Sequence, residues 1–254
     1  MVPVGPGNLR QTDITEVKQG GGGQHGRLQP STVKLSVVLV LFLSLGKSSA
    51  QNPQFAIFYY PTDFGEISFE LTDGCPDLNS CVPGFENMTI SGICVTGIWI
   101  FYSEKNYNSG GYGSAEWMFG VDYCLNSDPD DFEFSSLRHA GRQSNFDANT
   151  ITLYEFPLFS GNQFLDLADL PEVPMDDVDS IIITGESDWT IYSLPNFIGI
   201  ERCLETWPGM LVGFFPNLSD LEMNSVRSFR EGCFDDEKIQ RRSDRHGEVV
   251  TERE

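Results

Sequence analysis

Four short segments of the chain alternate apolar with polar positions, each with a serine just ahead of the apolar ones: NMTISGICV, DFEFSSLR, MDDVDSIII and MNSVRSFR. Period-two alternation over so few residues predicts short strands with one buried face. Ahead of each serine, by roughly thirty residues, stands an aromatic phrase. LYEFPLFSG sets Tyr154, Phe159 and Gly161 at the spacing Y-x4-F-x-G, and WTIYSLPNFIGIERCL repeats it with Tyr192, Phe197 and Gly199. FYYPTDFG carries Tyr59, Phe64 and Gly65, one residue short, and FYSEKNYNSGG carries Tyr102, Tyr107 and Gly110, one residue long. W-x-x-Y introduces the second and fourth phrases, at Trp99 and Trp189, so the four repeats read A, B, A, B. Loops such as TDGCPDLNSCVPG and ADLPEVPMDD lie between phrase and serine and break any helix. The pattern predicts an all-β chain of four repeated units. Greek keys in a two-sheet sandwich suit it better than up-and-down meanders.

Composition narrows this picture. A chain of 254 residues with 12% aromatics suits two compact domains with ordinary cores. A formal net charge of -21 argues against nucleic acid or an anionic membrane bound through a basic face, and suits solubility and divalent cations. Residues 1–33 form a low-complexity leader containing QGGGGQHGRLQP, of the kind an over-extended gene start would also produce. Lys34 and LSVVLVLFLSL then make a signal-peptide core over 34–50, with Ser48, Ser49 and Ala50 as a small-residue cleavage site. Secretion with a mature start at Gln51 is the expectation. An uncleaved anchor is the alternative, and the run is short for spanning a bilayer. Residues 235–254 read as a charged, disordered tail.

Secretion changes how the cysteines read. All six follow the cleavage site, and an even count in an oxidising compartment favours disulfides. No C-x-x-C pair occurs and histidines are few, which leaves zinc little support. Six cysteines allow fifteen pairings. The expected one joins Cys75 to Cys81, Cys94 to Cys124 and Cys203 to Cys233, each bridge within one domain, and the sequence leaves the others open. Sequons at Asn87 and Asn217 fit the same compartment as glycosylation sites.

The aromatic phrases and later serines resemble the Greek-key motif of the βγ-crystallins, with its aromatic-led Y/F/W-x6-G hairpin; Tyr154 to Gly161 and Tyr192 to Gly199 match it without a gap. The resemblance covers about residues 55 to 234 and implies two βγ-crystallin-like domains, 51–146 and 147–234, each a β-sandwich of two Greek-key motifs. It also implies that each first hairpin folds over its sheet, that the glycine takes a positive φ which a Cβ would resist, and that the later serine ties the hairpin backbone. Gly161 and Gly199 are then structural, with Ser180 and Ser228 as their partners. Gly65 and Gly110 are the matching glycines of the two motifs that depart in length.

The same resemblance implies candidate calcium positions, because many family members bind the ion through a stretch N/D-N/D-x-x-S/T-S with a fifth-position hydroxyl. Each stretch works with backbone carbonyls from the hairpin of the paired motif. Hard oxygen ligands and modest affinity are what calcium sites in extracellular modules use. Motif one offers Asn87 and Ser91, and motif two offers Asp131 and Ser135, so two ions are expected in the first domain. Motif three has Asp179 at the fifth place, a ligand in its own right. Motif four has Arg227 there, whose fixed positive charge should abolish the site. A glycan on Asn87 would compete with the first site.

Enzymatic readings find little to stand on. Only His139 and His246 follow the cleavage site, neither beside a nucleophile signature. The pairs Asp130-Asp131 and Asp176-Asp177 lie in loops where carboxylates are usually solvated or metal-facing. The expectation is a secreted, non-enzymatic, calcium-binding or structural protein with no nucleic-acid partner. A glycan- or membrane-associated interaction or defence module with an extracellular partner, and a lens-like packing role, are the rival expectations, since fold does not decide function.

Overall fold

The computed structural model describes residues 51–63, 65–126, 133–234 and 238–239. The leader 1–33, the signal segment 34–50, Phe64, Asp131, His246 and all but two residues of the tail lie outside the described residues. What is described is an all-β protein in two sandwich halves.

In the first half, β1 (Phe55–Thr62) and β2 (Gly65–Leu71) form a hairpin, followed by the long strands β3 (Gly92–Tyr102) and β4 (Ala115–Asn126) and the short β5 (Ser136–His139). β1 pairs with β3 over Gly92 to Thr96, whereas β5 pairs with it over Trp99 to Tyr102. The β3–β4 register shifts between Val95 and Gly97, and at that break the two strands pass from one layer to the other. Ala56, Phe58, Ile93 and Val95 from one layer thus meet Trp99, Phe101, Met118 and Leu137 from the other in one buried cluster. Gly97 sits at the bend with φ of 99°, where a Cβ would run into the Gln54 side chain. That side chain accepts from the Ile98 N–H at 2.7 Å and donates to the Ala140 carbonyl at 2.6 Å, stitching the bend to the end of β5.

The second half repeats the plan with separate strands. β6 (Thr150–Phe156), β7 (Ser160–Asp166), β8 (Ser180–Thr184) and β11 (Val212–Phe215) make one sheet in the order β11-β8-β6-β7. β9 (Trp189–Leu194), β10 (Ile198–Leu204), β12 (Ser228–Glu231) and β13 (Lys238–Ile239) make the other. Pairing crosses between the motifs of this half: β11 of the fourth motif joins β8, and the third-motif residue Leu170 makes an isolated bridge to Phe229 of β12. Ile151, Leu153, Ile181 and Ile183 face Trp189, Ile191, Leu204 and Phe229 across the second core.

Half-buried strands are not what every alternating segment becomes. All five residues of β8 are buried, and β3 is buried almost throughout. The outer face of each is covered by the other half of the molecule: Ile98, Ile100, Tyr102 and Ala115 pack against Tyr154, Phe159, Ile182 and Phe214. The Trp117 ring lies 5.0 Å from Phe159 and 5.7 Å from Phe214 across this contact. An alternating pattern cannot report burial on its polar face when another sheet supplies the cover.

Three disulfides are present: Cys75–Cys81, Cys94–Cys124 and Cys203–Cys233. Cys94 and Cys124 are register partners on β3 and β4. Cys75 and Cys203 are buried.

Candidate functional site

The hairpins carry the repeated geometry. In motifs two, three and four the residues four and five places after the leading tyrosine take left-handed backbone: Asn106 and Tyr107, Leu158 and Phe159, Asn196 and Phe197. This turns the hairpin back onto its sheet. The aromatic ring at the second of these positions packs edge-on to its tyrosine, at 5.8 Å for Tyr102–Tyr107, 5.5 Å for Tyr154–Phe159 and 5.9 Å for Tyr192–Phe197. One serine holds each fold. Ser180 Oγ accepts from the Phe159 N–H at 2.9 Å and donates to the Phe156 carbonyl at 2.6 Å. Ser228 does the same with Phe197 and Leu194, and Ser136 with Tyr107 and Glu104.

Gly161 and Gly199 have φ of 76° and 96°, and a Cβ at Gly161 would lie 2.6 Å from the Phe156 ring. Gly110 is a correction. Its backbone is not left-handed; Gly113, at φ of 108°, takes that role, standing two residues before Ala115, the strand partner of Tyr102, as Gly161 stands two before Gln163 and Gly199 two before Glu201. Motif one departs further. Gly92 stands where the other motifs have their tie serine, opposite Tyr59, and β1 and β2 pair straight out to Thr62 and Gly65.

The position before the tie is where cation chemistry would sit. Its N–H donates to the tyrosine carbonyl in all four motifs: Ser91 to Tyr59, Ser135 to Tyr102, Asp179 to Tyr154 and Arg227 to Tyr192, at 2.7 to 2.9 Å. The four side chains therefore occupy equivalent places. Ser91 Oγ lies 3.1 Å from the Tyr59 carbonyl oxygen and 3.1 Å from a Glu66 carboxylate oxygen, a donor set of hard oxygens that fits calcium. Asn87, exposed in a short 3-10 turn, gives its amide to Glu86 at 3.1 Å rather than to Ser91. The Ser135 hydroxyl takes no partner among the described residues. Burial, reinforced by Asp177, raises the Asp179 carboxyl above its ordinary value. Arg227 lays Nη1 on the Met175 and Asp176 carbonyls at 3.2 and 3.1 Å, placing a fixed cation against the third motif's own stretch.

Asn217 caps a short 3-10 turn, accepting from the Ser219 N–H at 3.1 Å and the Ser219 hydroxyl at 2.8 Å. His139 packs edge-on to Trp99 at 5.6 Å, and burial pushes its imidazole below the usual range. Among the described residues, the cluster Asp188, Cys203 and Cys233 has its three ligand atoms close together, but both sulfurs belong to a disulfide and offer no thiolate. Sequence reasoning missed Arg138, whose guanidinium is buried where the halves meet. Nothing in its local pattern sets it apart from an outward-facing arginine.

These features define the fold of a βγ-crystallin. Geodin, a βγ-crystallin from Geodia cydonium, superposes with a TM-score of 0.52 at 23% identity, covering 69% of this chain and 98% of that one. A βγ-crystallin from an archaeon matches with a TM-score of 0.29 at 25% identity, over 33% of this chain and 98% of its own. The fifth crystallin domain of the non-lens protein Absent in melanoma 1 matches with 0.28 at 25%, over 33% and 86%. No family model and no curated protein matches the chain.

Proposed function

We propose that the chain is a secreted, non-enzymatic protein of the βγ-crystallin family that binds calcium in its first half, through Ser91 with Asn87 and Ser135 with Asp131. The observation that carries the reading is the equivalence of Ser91, Ser135, Asp179 and Arg227, fixed by one shared hydrogen bond to the leading tyrosine. Two hydroxyls, a carboxyl and a guanidinium occupy one structural place, and only the last repels a cation outright. The partners of such a site are hard oxygens, as Ser91 illustrates beside the Tyr59 carbonyl and Glu66. Bound calcium would cross-link stretch and hairpin and raise stability by mass action. The six cysteines, all in disulfides, support an oxidising compartment.

Calcium titration of the full chain by calorimetry, with thermal melts in calcium and in chelator, tests this. Heat of binding and a higher melting temperature are expected, each lost in part in Ser91→Arg and in Ser135→Arg and together in the double variant. Absence of both heat and melting shift in the parent protein overturns it. Secretion is tested separately, by sequencing the N-terminus of protein recovered from the medium, where Gln51 is the expected first residue.

A further inference from the structure

Arg138 on β5 is 5% exposed, yet among the described residues no carboxylate forms an ion pair with it. Its Nε donates to the Tyr102 hydroxyl at 2.9 Å, Nη1 to the Gly161 carbonyl at 2.9 Å and Nη2 to the Phe159 carbonyl at 2.8 Å. The rings of Tyr102, Tyr107 and Tyr154 stand 5.3, 4.6 and 4.9 Å from its central carbon. Carbonyl dipoles and ring faces lower the cost of burying the charge but do not neutralise it. A guanidinium has five N–H groups, and the described residues account for hydrogen bonds from three of its nitrogens.

Beside Arg138 lies a cleft of about 520 Å³ at the meeting of the two halves. Tyr107, Ser109, His139, Asn162 and Gln163 help line it, and among the described residues no acidic one does. In a chain of net charge -21 that is a selective omission. Asp73 lies near enough to influence His139, and Glu155 accepts from Asn162 at 2.7 Å. Gly74 leaves one wall open, since a Cβ there would lie 3.1 Å from the Tyr107 hydroxyl. Ser109 and Gln163 are exposed, and their side chains have no partner among the described residues.

We propose that this cleft binds a small oxyanion, a sulfate or a carboxylate group, with Arg138 supplying the charge and the neutral amides and hydroxyls of the rim supplying further hydrogen bonds. The buried cation is attractive because low polarity around it strengthens its pull on an anion. The two sources of that chemistry are a free inorganic anion and a carboxylate carried on a sugar. This proposal is independent of calcium.

The test uses the full chain in chelator at constant ionic strength, titrated with sodium sulfate, sodium glucuronate, glucose or sodium chloride and followed by nitrogen-proton NMR. Saturable shifts confined to the Arg138 Nε–H and the amides of Tyr107, His139 and Gln163 are expected with sulfate or glucuronate, and none with glucose or chloride. Sulfate alone identifies a free-anion site; glucuronate alone identifies a sugar-acid site. Arg138→Gln should abolish the shifts, but it also loosens the contact between the halves. The exposed variants Gln163→Glu and Ser109→Asp therefore hold the test, each raising the midpoint about fivefold through like-charge repulsion while leaving the melting temperature unchanged. No saturable shift in the parent, equal shifts with chloride, or midpoints unmoved in both exposed variants would overturn the proposal.

Discussion

The first and third hairpins begin alike, on Tyr59 and Tyr154, and end differently. From Tyr154 the chain reaches Gly161 through a left-handed pair, Leu158 and Phe159, and the Phe159 ring is driven into full burial. From Tyr59 the chain has one residue fewer before Gly65, and the strands simply continue in register to Thr62 and Gly65. Opposite the tyrosines stand Ser180 in one case and Gly92 in the other. A folded hairpin leaves an N–H and a carbonyl turned inward, and the serine hydroxyl satisfies both at once. With Gly92 there is no hydroxyl, so the folded form would bury two unpaired groups, and the flat hairpin is the better solution. Folding over depends on loop length and on the tie together.

The largest expected effect comes from removing the tie where it exists. Ser180→Ala should cost about 2 to 3 kcal/mol in denaturant unfolding, since it strands the buried Phe159 N–H. Loss well under 1 kcal/mol would mean that loop length alone holds the hairpin. Next in size, Gly161→Ala should cost about 2 kcal/mol, because a left-handed φ is combined with a clash on Phe156. Gly65→Ala, with nothing within 4 Å of its Cβ, should cost about 1 kcal/mol from its φ of 128° alone. Equal losses at the two glycines would erase the distinction between the hairpins. Supplying the missing hydroxyl is the complementary change: Gly92→Ser should not stabilise, since its Cβ would meet the Asn126 side chain at 3.0 Å and the short loop still offers no inward N–H.

The smallest effect separates the halves by pH. Burial lowers the His139 pKa, so the unfolded chain takes up a proton that the folded one resists. Stability should therefore fall as pH drops through about 6.5, the unfolded value, and His139→Gln should flatten that part of the profile whatever it does to overall stability. An unchanged slope would assign the acid sensitivity to other groups.

Much of this architecture is legible in a single chain because it is periodic. The tyrosine-led phrases and the serines some thirty residues later locate four hairpins and their tie positions, and the shared N–H bonds of Ser91, Ser135, Asp179 and Arg227 follow the register read from the letters. Ser136 is the sixth residue of its stretch, the place that Ser180 and Ser228 hold in theirs. Gly110 does not take the positive φ, because the loop of the second motif is longer and only strand register, Tyr102 opposite Ala115, singles out Gly113 among its glycines. Such features are local: they depend on residues that are near in sequence or joined by a repeated spacing.

The contact between the halves is of another kind. Ile182 on β8 and Ile100 on β3 look like spare apolar positions in their own strands, and become buried because each sandwich covers the other. Arg138 looks like any polar strand residue, yet its environment is assembled from Tyr102 and Tyr107 of one half and Tyr154, Phe159 and Gly161 of the other. Backbone preference and alternation act over a few residues and so are written in the chain. The burial of a charge, and a cleft whose described lining carries no acid in an acidic protein, arise only when distant strands close around one point in space.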